Sequence, residues 1–286
     1  MEVFSPAALV DPLVTTFVLA TMFSVGLELR IDDVLASVSQ FGLVMRSVFI
    51  NLVGVPVLAM AAVLIAPLKT GHTVGLLLIA VSPGAPFGPK LAEISNSNVA
   101  FASGLMVMLA TVSVFTIPAS LALLVPGNVG VNLFGMAWMV IVVQLLPLLV
   151  GFGLREGYQA LASTLHAPMR RFSTILLFVL VALLLAINVN EIGRLVGTGV
   201  MIISSVIVVC SMIAGYAFGG PDKSTREVLA TSTTARNAAI ALLVATTSFP
   251  SPDVLVTIIA FSLVSVIVPG ITASVWRSRS LPFDIR

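Results

Sequence analysis

The chain has 286 residues, of which 58% are hydrophobic and 9% are charged, and its formal net charge is +2. A mean hydropathy of +1.15 excludes a soluble domain and predicts a polytopic membrane protein, because a soluble domain of this length has no use for so much apolar surface. No patch combines basic and aromatic residues, so we expect no nucleic-acid partner. The lone Cys210 cannot form an internal disulfide. We expect no metal or cofactor, since no cluster of His, Cys and carboxylates has the spacing of metal ligands.

Nine apolar segments are long enough to cross a membrane, which takes about 20 residues. They cover residues 12–29, 40–66, 73–96, 98–125, 132–154, 168–190, 195–219, 224–247 and 252–276. The loops between them are short, so the chain is predicted to be one all-α transmembrane domain over residues 1–286. Residues Met1–Asp11 lack the basic start of a signal peptide, and we expect the first apolar segment to be kept as a membrane helix.

The basic residues between the segments and at their ends predict the orientation in the membrane. Nine of them fall in one set of loops and the C-terminal tail, and two fall in the other set. The nine are Arg30, Arg155, Arg170, Arg171, Lys223, Arg226, Arg277, Arg279 and Arg286, and the two are Lys69 and Arg194. We therefore expect an integral protein of a bacterial inner membrane, with its N-terminus outside and its C-terminus in the cytoplasm.

The third segment cannot form a continuous helix. It contains Pro83, Pro86 and Pro89 together with Gly84 and Gly88, and each proline removes a backbone donor and clashes with the preceding turn. We predict two half-helices, over residues 73–82 and 87–96, that meet at an unwound stretch over residues 83–86. Lipid cannot hydrogen-bond the freed groups, so such a stretch has to lie inside protein or beside a water-filled cavity.

The eighth segment is unusual in its middle. A run of hydroxyl residues, Thr231–Thr234, leads directly into Arg236 and Asn237. Proline and glycine are missing, but hydroxyl side chains can bond freed backbone groups and support local unwinding. The run either lines a cavity or caps the backbone, and the sequence leaves both possibilities open.

The two interrupted segments occupy corresponding places in two halves of the chain. Residues 12–125 hold four segments and residues 132–276 hold five, with opposite orientation, so we predict an inverted repeat whose first half lacks its opening helix. Two discontinuous helices in such a repeat are typical of the substrate site of a secondary transporter.

Three basic residues, Arg46, Lys90 and Arg236, fall within apolar segments. Charges at membrane depth are costly and indicate function by default. Arg46 lies two turns from the cytoplasmic end of its segment, where its side chain can extend to the interface. Lys90 and Arg236 lie deeper, and each either binds an anion or pairs with an acidic residue, Glu93 or Glu28, as structural reinforcement.

At this point the sequence resembles the bile acid:sodium symporter superfamily over nearly its whole length. The resemblance rests on the order and spacing of Met22–Leu29 (a Met-Gly-Leu-x-Leu helix end), Asn51–Pro56 (Gln-x-x-x-x-Pro), Ser82–Ala85 with Ser97–Ala100 (the broken helix and the start of the next), and Ala235–Ala241 (Met-Gln-Asn-x-x-Leu-Ala). It implies a panel domain beside a core domain in which two discontinuous helices cross. It also implies transport of organic anions such as bile acids, pantoate, pyruvate or sulfated steroids, in many members driven by sodium.

This chain departs from the sodium-coupled pattern of the family. Gly88-Pro89 stands where sodium-coupled members have Ser-Asn, and two further hydroxyl ligands align with Ala102 and Met106. The acidic ligand aligns with Ser232 and the family's glutamine with Arg236. These changes argue against a bound sodium ion near Gly88, Ala102, Met106 and Ser232. Our hypothesis is that Lys90 and Arg236 supply the positive charge instead.

The substrate site is predicted where the half-helices begin, because a helix N-terminus presents unpaired N–H groups and partial positive charge to an anion. Pro83, Gly84, Pro86 and Pro89 are expected to hold the first break open. The predicted substrate-binding residues are Asn51, Pro86, Phe87, Gly88, Lys90, Thr234, Arg236 and Asn237. Asn51 is either a ligand or one partner of an interhelical hydrogen bond.

The sequence therefore predicts a secondary transporter of a small organic anion that works by alternating access. An exporter of metalloid oxyanions is the first alternative, but related families place a cysteine at the first break, whereas Cys210 lies in segment seven. An intramembrane enzyme is the second, and it lacks support because both histidines are expected in loops and no aspartate pair falls within a segment.

Overall fold

The computed structural model describes residues 6–32, 35, 40–66, 68–124, 133–190, 195 and 197–280. It is all-α over these residues. The helices are α1 Val10–Glu28, α2 Phe41–Ile65, α3 Thr70–Ala80, α4 Gly88–Ser95, α5 Val99–Leu124, α6 Phe134–Gly157, α7 Gln159–Ile187, α8 Val200–Phe218, α9 Lys223–Thr234, α10 Ala238–Ser248 and α11 Pro252–Ser280. A short 3₁₀ helix, Pro6–Leu9, precedes α1.

Eight helices of the described residues are long and apolar enough to cross a membrane, if α9 and α10 are taken together across their break. This confirms the prediction of an all-α polytopic membrane protein. The predicted count of nine is not confirmed, because the third segment consists of two helices that are each too short to count. Whether the chain is built as an inverted repeat, with a first half over 12–125 and a second over 132–276, stays a prediction.

Two details of the sequence interpretation are wrong. Helix α7 begins at Gln159, nine residues before the predicted start at residue 168. Hydropathy finds only the apolar part of a helix, and the first turns of α7 are polar. The histidines do not lie in loops, since His72 belongs to α3 and is buried, while His166 belongs to α7. Helices α3 and α7 both extend beyond the apolar segments that the sequence defines.

The helices form two groups. The first, called the panel, consists of α1, α6 and α7, which pack on one another. Helices α1 and α6 approach closely at Gly26 and Gly151, because a Cβ atom on Gly26 would lie 2.2 Å from the carbonyl oxygen of Leu148. The second group, called the core, contains α2–α5 and α8–α11.

Within the core, the first half of each interrupted helix lies along a neighbouring helix. Helix α3 packs on α11, and α9 packs on α8. A Cβ atom on Gly75 would lie 2.8 Å from the Thr257 side chain, and one on Gly215 would lie 2.2 Å from Oγ1 of Thr233. Small residues therefore allow both half-helices to approach their neighbours closely, as expected for helix packing in a membrane.

Gly215→Ala is expected to destabilise the protein, because the added methyl group meets Thr233 and also the carbonyl oxygen of Leu229 at 2.6 Å. Backbone atoms cannot rotate away as a flexible side chain can, so α8 and α9 have to separate. Thermal unfolding of the purified protein in detergent should show a melting temperature several degrees lower. Gly153→Ala is the matched control, since nothing lies within 4 Å of its Cβ position. Equal melting temperatures for the two variants would contradict the close packing of α8 on α9.

Candidate functional site

The first break separates α3 from α4, so the predicted interruption of the third segment is confirmed. Its two prolines, Pro83 and Pro86, have no N–H to donate. Gly84 has a φ of +78° and lies against α5, where an added Cβ would be 2.9 Å from the backbone nitrogen of Ala110. Only glycine meets both requirements. Pro89 was expected to hold the break open, but it lies in the first turn of α4, where a missing N–H costs nothing.

The second break covers residues 235–237, between α9 and α10. Its geometry is fixed by Asn237. The side-chain oxygen of Asn237 accepts from the backbone N–H of Ile240 at 3.3 Å and so caps α10. The backbone N–H of Asn237 donates to the carbonyl oxygen of Ser82 in the first break, at 2.9 Å. The two breaks therefore meet, and each satisfies a backbone group that the other one frees.

The hydroxyl residues before the second break do not cap it. Thr231, Thr233 and Thr234 donate to carbonyl oxygens one turn earlier in α9, at 3.0, 2.8 and 2.7 Å. Thr234 is buried and turned towards its own helix. The remaining hydroxyl, that of Ser232, lines a cavity.

Arg236 is the charged residue of the crossing, and only 4% of it is exposed. Its Nη1 donates to the backbone carbonyl oxygen of Asn51 at 3.2 Å. Its Nε and Nη2 have no hydrogen-bond partner among the described residues. A buried guanidinium with two unpaired nitrogen atoms costs free energy unless a further acceptor is supplied.

Helix α2 explains why the Asn51 carbonyl is free to accept. Residues Ile50–Gly54 form a π turn, in which the N–H of Val55 donates to Ile50. The next acceptor in that pattern is Asn51, whose donor would be residue 56, and residue 56 is a proline. The side-chain Nδ2 of Asn51 donates to Ser47 at 2.9 Å, while Oδ1 has no partner among the described residues. Asn51 therefore reaches Arg236 through its backbone and not through its amide.

A small cavity lies beside the first break. Its volume is about 10 Å³, and its lining consists of Gly84, Ala85, Gly88, Met106, Leu109 and Ser232. This is space for about one water molecule. The structure thus brings together three of the four positions that the family resemblance assigns to sodium, while Ala102 is fully buried outside the lining.

This lining does not fit a sodium ion. Hard cations require several oxygen ligands, and Ser232 provides the only side-chain oxygen among the six lining residues. Between α2 and the second break, the guanidinium of Arg236 contacts the Asn51 carbonyl oxygen.

Lys90 lies apart from Arg236. It belongs to α4 and pairs with Glu93 at 2.5 Å, and the two side chains are 47% and 43% exposed. Lys90 does not line the cavity. The sequence interpretation expected Lys90 and Arg236 at a shared cavity, and the structure does not bring them together. Lys90 instead forms the ion pair with Glu93 that was the alternative to anion binding. The half-buried Pro86 and Phe87 precede α4 in the same stretch.

Gln144 belongs to the site and was not found by sequence reasoning. It is fully buried in a π turn of the panel helix α6, Ile141–Leu145. Its Nε2 donates to the carbonyl oxygen of Ala110 at 2.8 Å and to Oγ of Ser113 at 3.0 Å, and its Oε1 accepts from Nδ2 of Asn237 at 3.4 Å. The sequence did contain an indication of this role, because an amide side chain in an apolar segment favours an interhelical hydrogen bond.

Glu227 is a second residue that was overlooked. It lies on α9, is 4% exposed and accepts a hydrogen bond from Oγ of Ser97, which follows α4. Lys223 lies 3.7 Å from its other oxygen. The contact joins the start of α9 to the end of α4 and places these two helix ends at the same end of the bundle.

Comparison with known proteins decides the family. The family model described as "Sodium Bile acid symporter family" matches residues 15–195. The chain belongs to this family.

Two curated relatives from Arabidopsis thaliana support the assignment. The chain is 24% identical over 266 residues to "Probable sodium/metabolite cotransporter BASS1, chloroplastic" and 23% identical over 272 residues to "Probable sodium/metabolite cotransporter BASS5, chloroplastic". The matches cover 92% and 90% of this chain and 66% of each relative. The chain therefore spans slightly less than two thirds of the length of these relatives. The family resemblance predicted from the four sequence stretches is confirmed.

Asn237→Ala is expected to loosen the start of α10, because it removes the helix cap and the bond to Gln144. Loss of an asparagine cap costs about 0.5–2 kcal/mol. Hydrogen–deuterium exchange should become faster at the amides of the first turn of α10. Asn188→Ala is the control, since Asn188 is also buried and, among the described residues, its side chain bonds to Leu184 of its own helix. Unchanged exchange in α10 would contradict the capping role of Asn237.

Proposed function

We propose that this chain is a secondary transporter that carries a small organic anion, a carboxylate or a sulfonate or sulfate, by alternating access and without sodium. The proposal rests first on Arg236, a buried cation with two unpaired nitrogen atoms at the point where two interrupted helices cross. Membership in the sodium bile acid symporter family supports a transport function. The two relatives are named as probable sodium/metabolite cotransporters.

An anion suits this site electrostatically. Among the described residues Arg236 forms no ion pair, so its charge is not neutralised by protein. Helix α10 begins two residues later, at Ala238, and directs the positive end of its dipole towards the crossing. A carboxylate or sulfonate can accept two parallel hydrogen bonds from a guanidinium, and this planar geometry favours arginine over lysine.

Arg236 also supports transport without sodium. In a sodium-coupled member the coupling ions supply the positive charge that accompanies the anion, whereas here a covalently attached guanidinium supplies it. The guanidinium is held by a carbonyl oxygen, which is the kind of ligand that a sodium ion would use. The cavity at the first break adds one side-chain hydroxyl and five residues without side-chain oxygen. We therefore propose that the charge of Arg236 replaces that of the coupling ions and that transport proceeds by exchange of anions or with protons.

Alternating access requires two bodies that can move against each other. Both interrupted helices lie in the core, where the breaks are joined by the bond from Asn237 to Ser82. The panel contacts the core chiefly through α1 on α10 and α6 on α5. We propose that the core moves with its crossing against the panel and exposes Arg236 to each side in turn. The metalloid-oxyanion alternative receives no support, because Cys210 lies in α8 and in neither break.

Arg236→Ala should weaken anion binding strongly while leaving the fold intact. Hydrogen bonds to a charged group contribute about 1.5–3 kcal/mol, so affinity should fall by roughly 10- to 100-fold. The measurement is a thermal-shift screen of the wild-type protein with pyruvate, pantoate and taurocholate, followed by uptake of any stabilising compound into proteoliposomes. Arg46→Ala is the control, because Arg46 is an exposed arginine of the core helix α2. Uptake at the wild-type rate by Arg236→Ala protein would refute the role of Arg236.

Uptake should also be independent of sodium. Proteoliposomes loaded and bathed with potassium or choline salts should take up the same anion at the same rate as vesicles in sodium, because Arg236 supplies the positive charge. The ionic strength has to be equal in all buffers, since screening alone changes the attraction of an anion. A rate that rises steeply with the sodium concentration would show that coupling ions bind despite the missing ligands.

A further inference from the structure

The contact between panel and core is different at the two ends of the bundle. At one end, Oγ1 of Thr247 in α10 contacts the sulfur of Met139 in α6 at 3.5 Å, and α10 also packs on α1. We call this the Thr247 end. The opposite end contains Glu227 and the end of α4. It also contains the end of α6, because Met139 lies near the start of that helix. We call it the Glu227 end.

At the Glu227 end the core helix α4 carries two charged side chains that are not covered by the panel. Helix α4 packs on α5, α9 and α11, all of which belong to the core. Its Lys90 and Glu93 side chains are nearly half exposed. Two charges at this depth are costly in contact with lipid, so we infer that they face an aqueous gap between core and panel. By this inference the panel lies against the core at the Thr247 end and apart from it at the Glu227 end.

Gln144 lies between these two ends, at the level of the crossing. It is a panel residue, yet the side-chain hydrogen bonds that it forms within the described part of the chain go to core residues: Ala110 and Ser113 on α5 and Asn237 in the second break. The surroundings exclude water, so each bond broken without a replacement leaves a polar group unsatisfied. Apolar contacts between helices slide with little loss, whereas these directional bonds hold one position of the panel.

We propose that Gln144 is the latch that holds the panel against the core in this conformation. Breaking its bonds releases the panel at the Thr247 end and allows the gap at the Glu227 end to close. The proposal deepens the alternating-access function proposed above. Its test nevertheless uses no substrate, so the result is independent of whether any anion is transported.

The experiment measures two distances between panel and core by pulsed electron paramagnetic resonance. Spin labels are attached to cysteines introduced in a Cys210→Ala background, in detergent without added anion. The pair Leu9→Cys and Thr247→Cys reports on the Thr247 end. The pair Glu93→Cys and Tyr158→Cys reports on the Glu227 end. Each pair joins one panel site to one core site, and all four positions are exposed at the surface.

Gln144→Leu should lengthen the distance at the Thr247 end and shorten that at the Glu227 end. Each lost hydrogen bond should shift the ratio of the two conformations by roughly 2- to 10-fold. Ser113→Ala removes one of the three bonds to Gln144, together with the bond from Ser113 to Ala110 inside α5. It should shift both distances in the same directions by less, so the test survives if Gln144→Leu protein does not fold. Gln159→Leu, the same exchange at an exposed panel position, should leave both distances unchanged.

Two results would overturn the latch. If both distance distributions in the Gln144→Leu protein match those of the parent, the bonds do not hold the conformation. If both distances lengthen or broaden together, Gln144 serves only to keep the bundle packed.

Discussion

The structure depends on one hydrogen bond, from the backbone N–H of Asn237 to the carbonyl oxygen of Ser82. A chain that unwinds inside a membrane exposes backbone groups that lipid cannot satisfy. Two unwound stretches that lie against each other can hydrogen-bond some of each other's free backbone groups. That arrangement requires both stretches to lie at the same depth in the membrane. Gly84 makes the approach of the first stretch to α5 possible, and the cap formed by Asn237 ends the second stretch after three residues. The crossing in turn places the cation Arg236 in the interior of the core.

The lack of hydrogen-bond partners inside the membrane also explains why we propose that Arg236 binds an anion. Helix α2 has a carbonyl oxygen without a donor, because a π turn is followed by Pro56, and Arg236 provides that donor. The remaining nitrogen atoms of the guanidinium have no acceptor among the described residues. A protein that only needed to stabilise its crossing could use a neutral amide there. A permanent charge with free donors is useful when an anion is the missing partner.

Much of the fold could be predicted from the sequence because its causes are local. Prolines at positions 83 and 86 prevent a helix regardless of what surrounds them, and the first break was found in this way. The second break lacks such residues, so it was predicted only from the hydroxyl run and the family resemblance. The start of α7 was missed by nine residues, since hydropathy does not detect the polar turns at the end of a membrane helix.

The site was predicted less completely because its geometry depends on distant residues. Sequence reasoning named Arg236, Asn237 and Asn51 as site residues, and it left open whether Asn51 is a ligand or a partner in an interhelical hydrogen bond. In the structure Asn51 meets Arg236 through its backbone carbonyl oxygen. It grouped Lys90 with Arg236, whereas Lys90 pairs with Glu93 one turn away. Gln144 was overlooked because its partners, Ala110 and Asn237, are 34 and 93 residues away. Such contacts follow from the packing of panel on core and not from any local pattern.

Whether Arg236 binds the substrate is tested by an experimental structure of the protein with a bound anion that raises its melting temperature. If Arg236 binds the substrate, density for the carboxylate or sulfonate is expected within hydrogen-bond distance of Nε and Nη2 of Arg236, beside the first turn of α10. An anion bound elsewhere, with those two nitrogen atoms still unpaired, would contradict it.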